Sequence, residues 1–138
     1  MATKKIDAGD ALAQQLAYLR WPIPVREYRF AALHLGAGKG LRARLREARM
    51  QDWRFDLAWP VIRLAIEVDG GGWVSGRHSR GGGIESDCAK LSTAVSMGWR
   101  VLRVTPRQVK DGRAVAWLEP LIGVRDESAL HETLMTYG

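Results

Sequence analysis

Apolar and polar positions change their period several times along the chain, and each change marks an element. Leu12, Leu16 and Leu19 recur at helical spacing behind two candidate N-caps, Asp7 and Asp10, until Trp21-Pro22-Ile23-Pro24 ends the pattern, which predicts a short first helix. Val25 to Leu33 predicts a strand, because Tyr28, Phe30 and Ala32 alternate with Glu27, Arg29 and Ala31; Glu27 and Arg29 then share a face. Trp53 to Trp59 and Ile62 to Asp69 carry the clearest strand patterns. In the second, Ile62, Leu64, Ile66 and Val68 occupy one face and Arg63, Ala65, Glu67 and Asp69 the other. Pro60 sits in a very short connection, so the two strands are expected to form an antiparallel hairpin whose apolar face meets a helix layer.

The remaining segments alternate between loop and regular structure. Residues 35–51 read as a basic insertion, in which Gly36, Gly38 and Gly40 lead into a helix with Leu41, Leu45 and Ala48 along one side. Residues 70–83 read as a Gly-rich loop carrying Arg77, His78 and Arg80. Ile84 to Met97 predicts a helix stopped by Gly98, with Ile84, Cys88, Leu91 and Val95 on its buried stripe, Asp87 at the margin and Lys90 further round the same side. Trp99 to Thr105 reads as a strand, Pro106 follows it, and residues 113–121 read as a helix before a weakly patterned tail. This order of elements implies an α/β fold, a mixed central sheet flanked by helices, and 138 residues give room for one domain spanning 1–138.

Charge narrows the partner. Twenty-one Lys and Arg against 15 Asp and Glu give a net charge of +6, which favours a polyanion, with nucleic acid foremost. Lys39, Arg42, Arg44, Arg46 and Arg49 face only Glu47 in the insertion and are the first candidates for DNA contact, joined by Arg77, His78 and Arg80 in the loop. A single cysteine, Cys88, excludes an intrachain disulfide and Cys-rich zinc sites and fits a reducing cytoplasm. No apolar run approaches the length of a signal peptide or membrane span, so no membrane association is expected.

The chemistry is expected at the hairpin. Asp56 on one strand, and Glu67 and Asp69 on the next, can converge on one side of the sheet. Carboxylates held together repel unless a cation sits between them, and Mg²⁺ or Mn²⁺ is the natural occupant for hard oxygen ligands. Such a site beside many cations describes metal-assisted phosphodiester hydrolysis. The alternative is that the three acids are strand-end carboxylates paired with Arg54 and Arg63. Glu67 inside LAIEVDG weighs towards a cation, because an acid in so apolar a strand carries a desolvation cost.

The strings RFDLAWP, LAIEVDGGGW, GRHSRGGGIESDCAK and GWRVLRVTP together resemble the PD-(D/E)xK nuclease superfamily, in particular small phage-type endonucleases related to very-short-patch-repair enzymes, some of them Holliday junction resolvases. The resemblance runs from about Glu27 to Pro106. It implies a restriction-endonuclease-like core in which Asp56, Glu67 and the backbone carbonyl of Val68 bind the catalytic metal, with Glu27 as the additional acid of junction-resolving members. The usual lysine position holds Asp69, so Lys90 from the following helix is expected to take over the lysine's work. Asp69 would hold a second metal or orient a metal-bound water, and His78 is a second candidate for proton transfer. Lys90→Ala is expected to reduce cleavage strongly and Lys110→Ala not to, and His34 and His131 have no such context. Cleavage would leave a 5′-phosphate and a 3′-hydroxyl, the assembly would be a homodimer suited to a two-fold junction, and the location would be the cytoplasm of a bacterial host cell. No base-reading motif is visible, which fits selection of branched DNA by shape. A mismatch- or sequence-selective nickase, or a DNA-binding module that lost activity with the motif lysine, are the competing readings.

Overall fold

A computed structural model describes residues 7–70 and 81–123. It is an α/β fold: a four-stranded mixed sheet in the order β1-β2-β3-β4 with helices on both faces. The strands are β1 (Val25–Tyr28), β2 (Phe55–Trp59), β3 (Leu64–Val68) and β4 (Arg100–Val104). The helices are α1 (Ala8–Tyr18), α2 (Phe30–Leu35), α3 (Leu41–Glu47), α4 (Gly81–Ser96), α5 (Pro106–Lys110) and α6 (Arg113–Ile122). β1, β2 and β3 pair antiparallel, whereas β3 and β4 run parallel, with α4 in the crossover between them. Among the described residues no helix is long and apolar enough to cross a membrane.

The sheet separates two apolar clusters. On one face Leu57, Leu64, Ile66 and Val104 pack against Leu12 and Leu16 of α1, Val109 of α5 and Leu118 of α6. On the other, Phe55, Ala58 and Ala65 pack with Phe30 of α2, Ala94 of α4, Trp53 and Trp99. The expected apolar face of β3 therefore meets a helix layer, but Ala65 on its other face is buried as well.

α1 begins at Asp7, whose carboxylate accepts the Gly9 N–H at 2.6 Å. It ends at Tyr18, and Leu19, the residue that follows, is 41% exposed and not part of the core. The close is a Schellman arrangement, Trp21 N–H to Leu16 O and Arg20 N–H to Ala17 O, with Arg20 left-handed at φ 58°.

The strand expected over Val25 to Leu33 stops at Tyr28 and the chain turns into α2. Phe30, Ala31 and Ala32 are all buried in succession, which no alternating strand allows, and the Phe30 ring stacks on Phe55 at 4.1 Å. Packing of that ring overrides the local alternation. Arg29 thereby leaves the strand and pairs with Asp52 at 2.7 Å, so it does not share a strand face with Glu27. The hairpin forms as expected, through a single 3₁₀ turn (Pro60–Ile62) closed by left-handed Arg63.

α4 starts at Gly81, so the last three residues of the expected Gly-rich loop are helical. Its orientation also differs from expectation. Ile84 is 50% and Val95 58% exposed and Cys88 is exposed, while Ala94 is the fully buried residue and Lys90 is half-buried. Small residues let this side of the helix lie close to the sheet, and the larger apolar residues are left outside. α5 was not anticipated, although Thr105 and Gln108 form a capping box whose spacing stands in the sequence.

Candidate active site

The antiparallel register of β2 and β3 pairs Trp59 with Leu64, Ala58 with Ala65 and Leu57 with Ile66. Continued one step it sets Asp56 opposite Glu67, and a further step sets Phe55 opposite Val68. The ladder stops before that last rung. Instead the Val68 N–H donates to Asp56 Oδ2 at 2.7 Å, so a side-chain carboxylate substitutes for the backbone partner and the two strands part there. In a strand a residue's N–H and C=O lie on the same edge, which directs the Val68 carbonyl towards Asp56 too.

Side-chain facing switches at the same place. Phe55 and Ala58 pack on the α4 face, whereas Leu57 and Trp59 pack on the α1 face, so strict alternation fails around Asp56. Opposite it, between the Arg26 and Tyr28 pairs of β1, lies Glu27, with a left-handed backbone at φ 50°. For a residue with a Cβ that conformation costs about 1–2 kcal/mol. Glu27 is exposed, and among the described residues no hydrogen bond or ion pair joins it to Asp56 or Glu67.

Glu67 stands on the α4 face. Lys90 Nζ lies 2.7 Å from Glu67 Oε1 and 5.9 Å from the centre of the Phe55 ring. Burial raises the Glu67 carboxyl to about 7; Lys90 opposes the rise, the negative charge of Asp56 adds to it and Arg103 reduces it. Asp69 is held by Arg103, whose Nη2 reaches both carboxylate oxygens at 2.9 and 3.1 Å. Arg103 lies directly across the β3–β4 register from Glu67 and was not singled out from the sequence. Parallel pairing of these two strands supplies the contact, and nothing in the local pattern announces it. Phe55, Glu67, Asp69, Asp87, Lys90 and Arg103 line a small cleft.

Asp56 opens on the other side. With Asp7, Gln15, Val68, Pro106 and Lys110 it lines a broader groove between α1 and α5. Lys110 thus shares the groove that Asp56 lines. The expected convergence of Asp56, Glu67 and Asp69 around one ion does not form. Among the described residues no three of His, Cys, Asp and Glu stand close enough to hold a metal. The break in alternation at Asp56 turns it from the Glu67 face, and Lys90 and Arg103 each neutralise one acid. Nor are the acids paired with Arg54 and Arg63; the Arg63 guanidinium goes to the Met97 carbonyl.

A smaller donor set remains. Asp56 and Glu67 are register neighbours close enough for one charge to raise the other's pKa, and the Val68 carbonyl is directed between the strands. Mg²⁺ keeps most of its water and commonly takes only one or two protein carboxylates, so this set fits such an ion without Asp69.

The basic helix is α3. Arg42, Arg46, Arg49 and Lys39 are exposed. Arg44 is turned back, donating to the Lys39 carbonyl at 3.0 Å and to the Gly36 carbonyl, so it closes the glycine turn and is not presented to a ligand. Arg77, His78, Arg80 and Trp73 lie outside the described residues, as does His131. No family model, no curated protein and no solved structure matches this chain.

Proposed function

We propose that this chain is a metal-dependent DNA endonuclease with a restriction-endonuclease-like core, selective for branched DNA and acting as a Holliday junction resolvase. One observation carries the reading: a half-buried Glu67 beside Asp56 on adjacent strands, met by Lys90 from the following helix. Two acids on adjacent strands, with a lysine beside one of them where the strands part, are residue types that metal-assisted phosphodiester hydrolysis uses, and they match the motif resemblance except at Asp69.

Asp56, Glu67 and the Val68 carbonyl would hold Mg²⁺ or Mn²⁺. When bound, such an ion supplies a lowered pKa for a coordinated water and positive charge against the scissile phosphate. The chain's own residues do the rest. Lys90, a donor with three N–H groups, orients the attacking water or the phosphate oxygen once Glu67 is otherwise neutralised. Phe55 beneath it excludes solvent from one side. Arg103 holds Asp69 away from the phosphate, so Asp69 is a positioning residue in this reading. Arg42, Arg46, Arg49 and Lys39 bind backbone phosphates without reading bases, which accords with selection by shape.

A second reading has its own support. Glu67 and Asp69 are each tied to a cation of the chain itself, as in a DNA-binding module of this fold that no longer cleaves. Incubating the protein with synthetic four-way junctions, flaps, mismatched duplexes and linear duplex, with and without Mg²⁺ or Mn²⁺, separates the two. Metal-dependent cutting of the junction in preference to linear duplex is expected. Preference for a mismatch makes it a nickase, and tight binding of the junction with no cut strand in either metal overturns the enzymatic reading.

A further inference from the structure

Two spaces meet where β2 and β3 part, and they differ in size. The cleft lined by Glu67 and Lys90 holds about 50 Å³, enough for an ion or a few waters. The groove between α1 and α5, which Asp56 and Val68 also line, holds about 780 Å³, within the range of sites that enclose a small organic ligand. Its walls are aliphatic: Ala8 and Ala11 on α1, Pro106 and Val109 on α5, with no aromatic side chain among the described lining residues. A substrate with an apolar part therefore has room on the Asp56 side and none on the Glu67 side.

Three polar side chains share these walls with Asp56. Asp7 is engaged at the α1 cap, where its carboxylate accepts the Gly9 N–H. Gln15 ties the two helices together, donating from Nε2 to the Val109 carbonyl at 2.9 Å; this fixes its carboxamide and leaves Oε1 buried with no partner among the described residues. Lys110 is exposed and forms no ion pair with a described residue. A cation, an unsatisfied acceptor and an aliphatic wall in one groove match three parts of a nucleotide: its phosphate, the N–H that every base carries on its pairing edge, and the flat apolar faces of the base. We propose that this groove takes an unpaired nucleotide next to the scissile phosphate, with Lys110 on its phosphate and its base against Ala8, Ala11 and Pro106.

The inference rests on the reading of the chain as a DNA endonuclease and names what it selects, namely DNA whose bases can leave the stack. At a branch they do so at little cost, whereas in continuous duplex each extruded base forfeits stacking and pairing. One acceptor facing an N–H that all bases share does not choose among them, in keeping with a chain that shows no base-reading motif. Charge sets the order of events. Asp7 and Asp56 together outweigh Lys110, so the groove repels a phosphate until the charge of Asp56 is neutralised, by an ion or by substitution.

A four-way junction carrying 2-aminopurine, a base whose fluorescence rises when it leaves the stack, at successive positions across the branch tests this without cleavage. Asp56→Asn of the full chain, added without divalent ions, is expected to raise the fluorescence beside the branch and not in linear duplex, since the aliphatic walls offer no ring to quench it. Adding Lys110→Ala is expected to abolish the rise, weaken junction binding and lower the slope of log K against log salt by about 1, with Lys110→Arg restoring the slope. Ala8→Phe, at a half-buried wall position, fills the groove and is expected to suppress the rise while the variant melts as its parent does. In cleavage by the otherwise wild-type chain, Lys110→Ala is expected to raise KM with little change in kcat. Binding of the junction by Asp56→Asn with no fluorescence rise at any position overturns the inference and leaves the endonuclease reading to the cleavage panel. A rise that both Lys110→Ala and Ala8→Phe leave unchanged does the same, and a chain that binds no DNA overturns both.

Discussion

The Val68 N–H and the Asp56 carboxylate meet at 2.7 Å at the point where the β2–β3 ladder ends. A side chain thus completes a backbone bond, and the same oxygen pair is the one assigned to the ion. Asn at this position keeps an acceptor for the N–H but loses the charge. Asp56→Asn is expected to abolish cleavage, leave junction binding equal or tighter, and cost under about 1 kcal/mol of stability. Asp56→Ala, which orphans the N–H, costs about 1–3 kcal/mol. Denaturant melts and a binding assay check this pair, and loss of DNA binding in Asp56→Asn would remove the assigned role.

Glu67 makes stability depend on pH. Its carboxyl is pushed up by burial to about 7 in the folded chain, above the 4.5 of an ordinary glutamate, so between those values the folded state keeps a proton that the unfolded state has released. Stability from this group is therefore greatest below about 4.5 and declines as pH rises to about 7, by on the order of 3 kcal/mol. The difference in unfolding free energy between wild type and Glu67→Gln, measured at pH 5 and pH 8 without divalent ions, should show that decline. A difference independent of pH would contradict it.

Lys90 is the cation nearest Glu67, and it opposes the burial that raises the carboxyl. Lys90→Met is expected to raise the Glu67 pKa further, visible in the carboxyl carbon shift by NMR, and to lower the cleavage rate by about 100-fold or more. Arg20→Ala, at the end of α1, should leave both unchanged. Equal rates for the two variants would take Lys90 out of the chemistry.

The arginines of α3 divide into two kinds. Arg42→Ala with Arg46→Ala is expected to weaken junction binding and reduce the slope of log K against log salt by about 2. Arg44→Ala should act mainly on stability, because its guanidinium closes the glycine turn. Binding isotherms at several salt concentrations distinguish them, and an unchanged slope in the double variant would turn α3 away from DNA.

The turn from β1 into α2 rests on one ring. Phe30→Ala removes a side chain stacked on Phe55 and only 2% exposed, and should cost about 3–5 kcal/mol, whereas Leu33→Ala at a 53% exposed position should stay within about 0.5. Were Val25 to Leu33 one strand, Leu33 would share its importance.

Much of this architecture can be read from residue order, because the signals are local. Period-two alternation in Leu64 to Val68, Pro60 at a tight turn, Gly98 at a helix end and the acid within LAIEVDG are each properties of a few neighbouring side chains. They specify the hairpin, the mixed sheet with helices and the candidate pair Asp56 and Glu67. Lys90 is legible too, since a helix after β3 returns over the sheet.

The rest depends on surfaces that neighbouring residues do not describe. Phe30 becomes helical because its ring finds Phe55, twenty-five positions away. α4 presents Ala94 and Lys90 inward rather than Ile84 and Val95, because small side chains let the helix lie close to the sheet and the Glu67 carboxylate takes the ammonium. Asp69 meets Arg103 only because β4 runs parallel beside β3, and Asp56 leaves the Glu67 face because β2 and β3 separate one rung early. Periodicity says which side chains share a face; which face is covered, and by what, is set by the free energy of the whole packed arrangement.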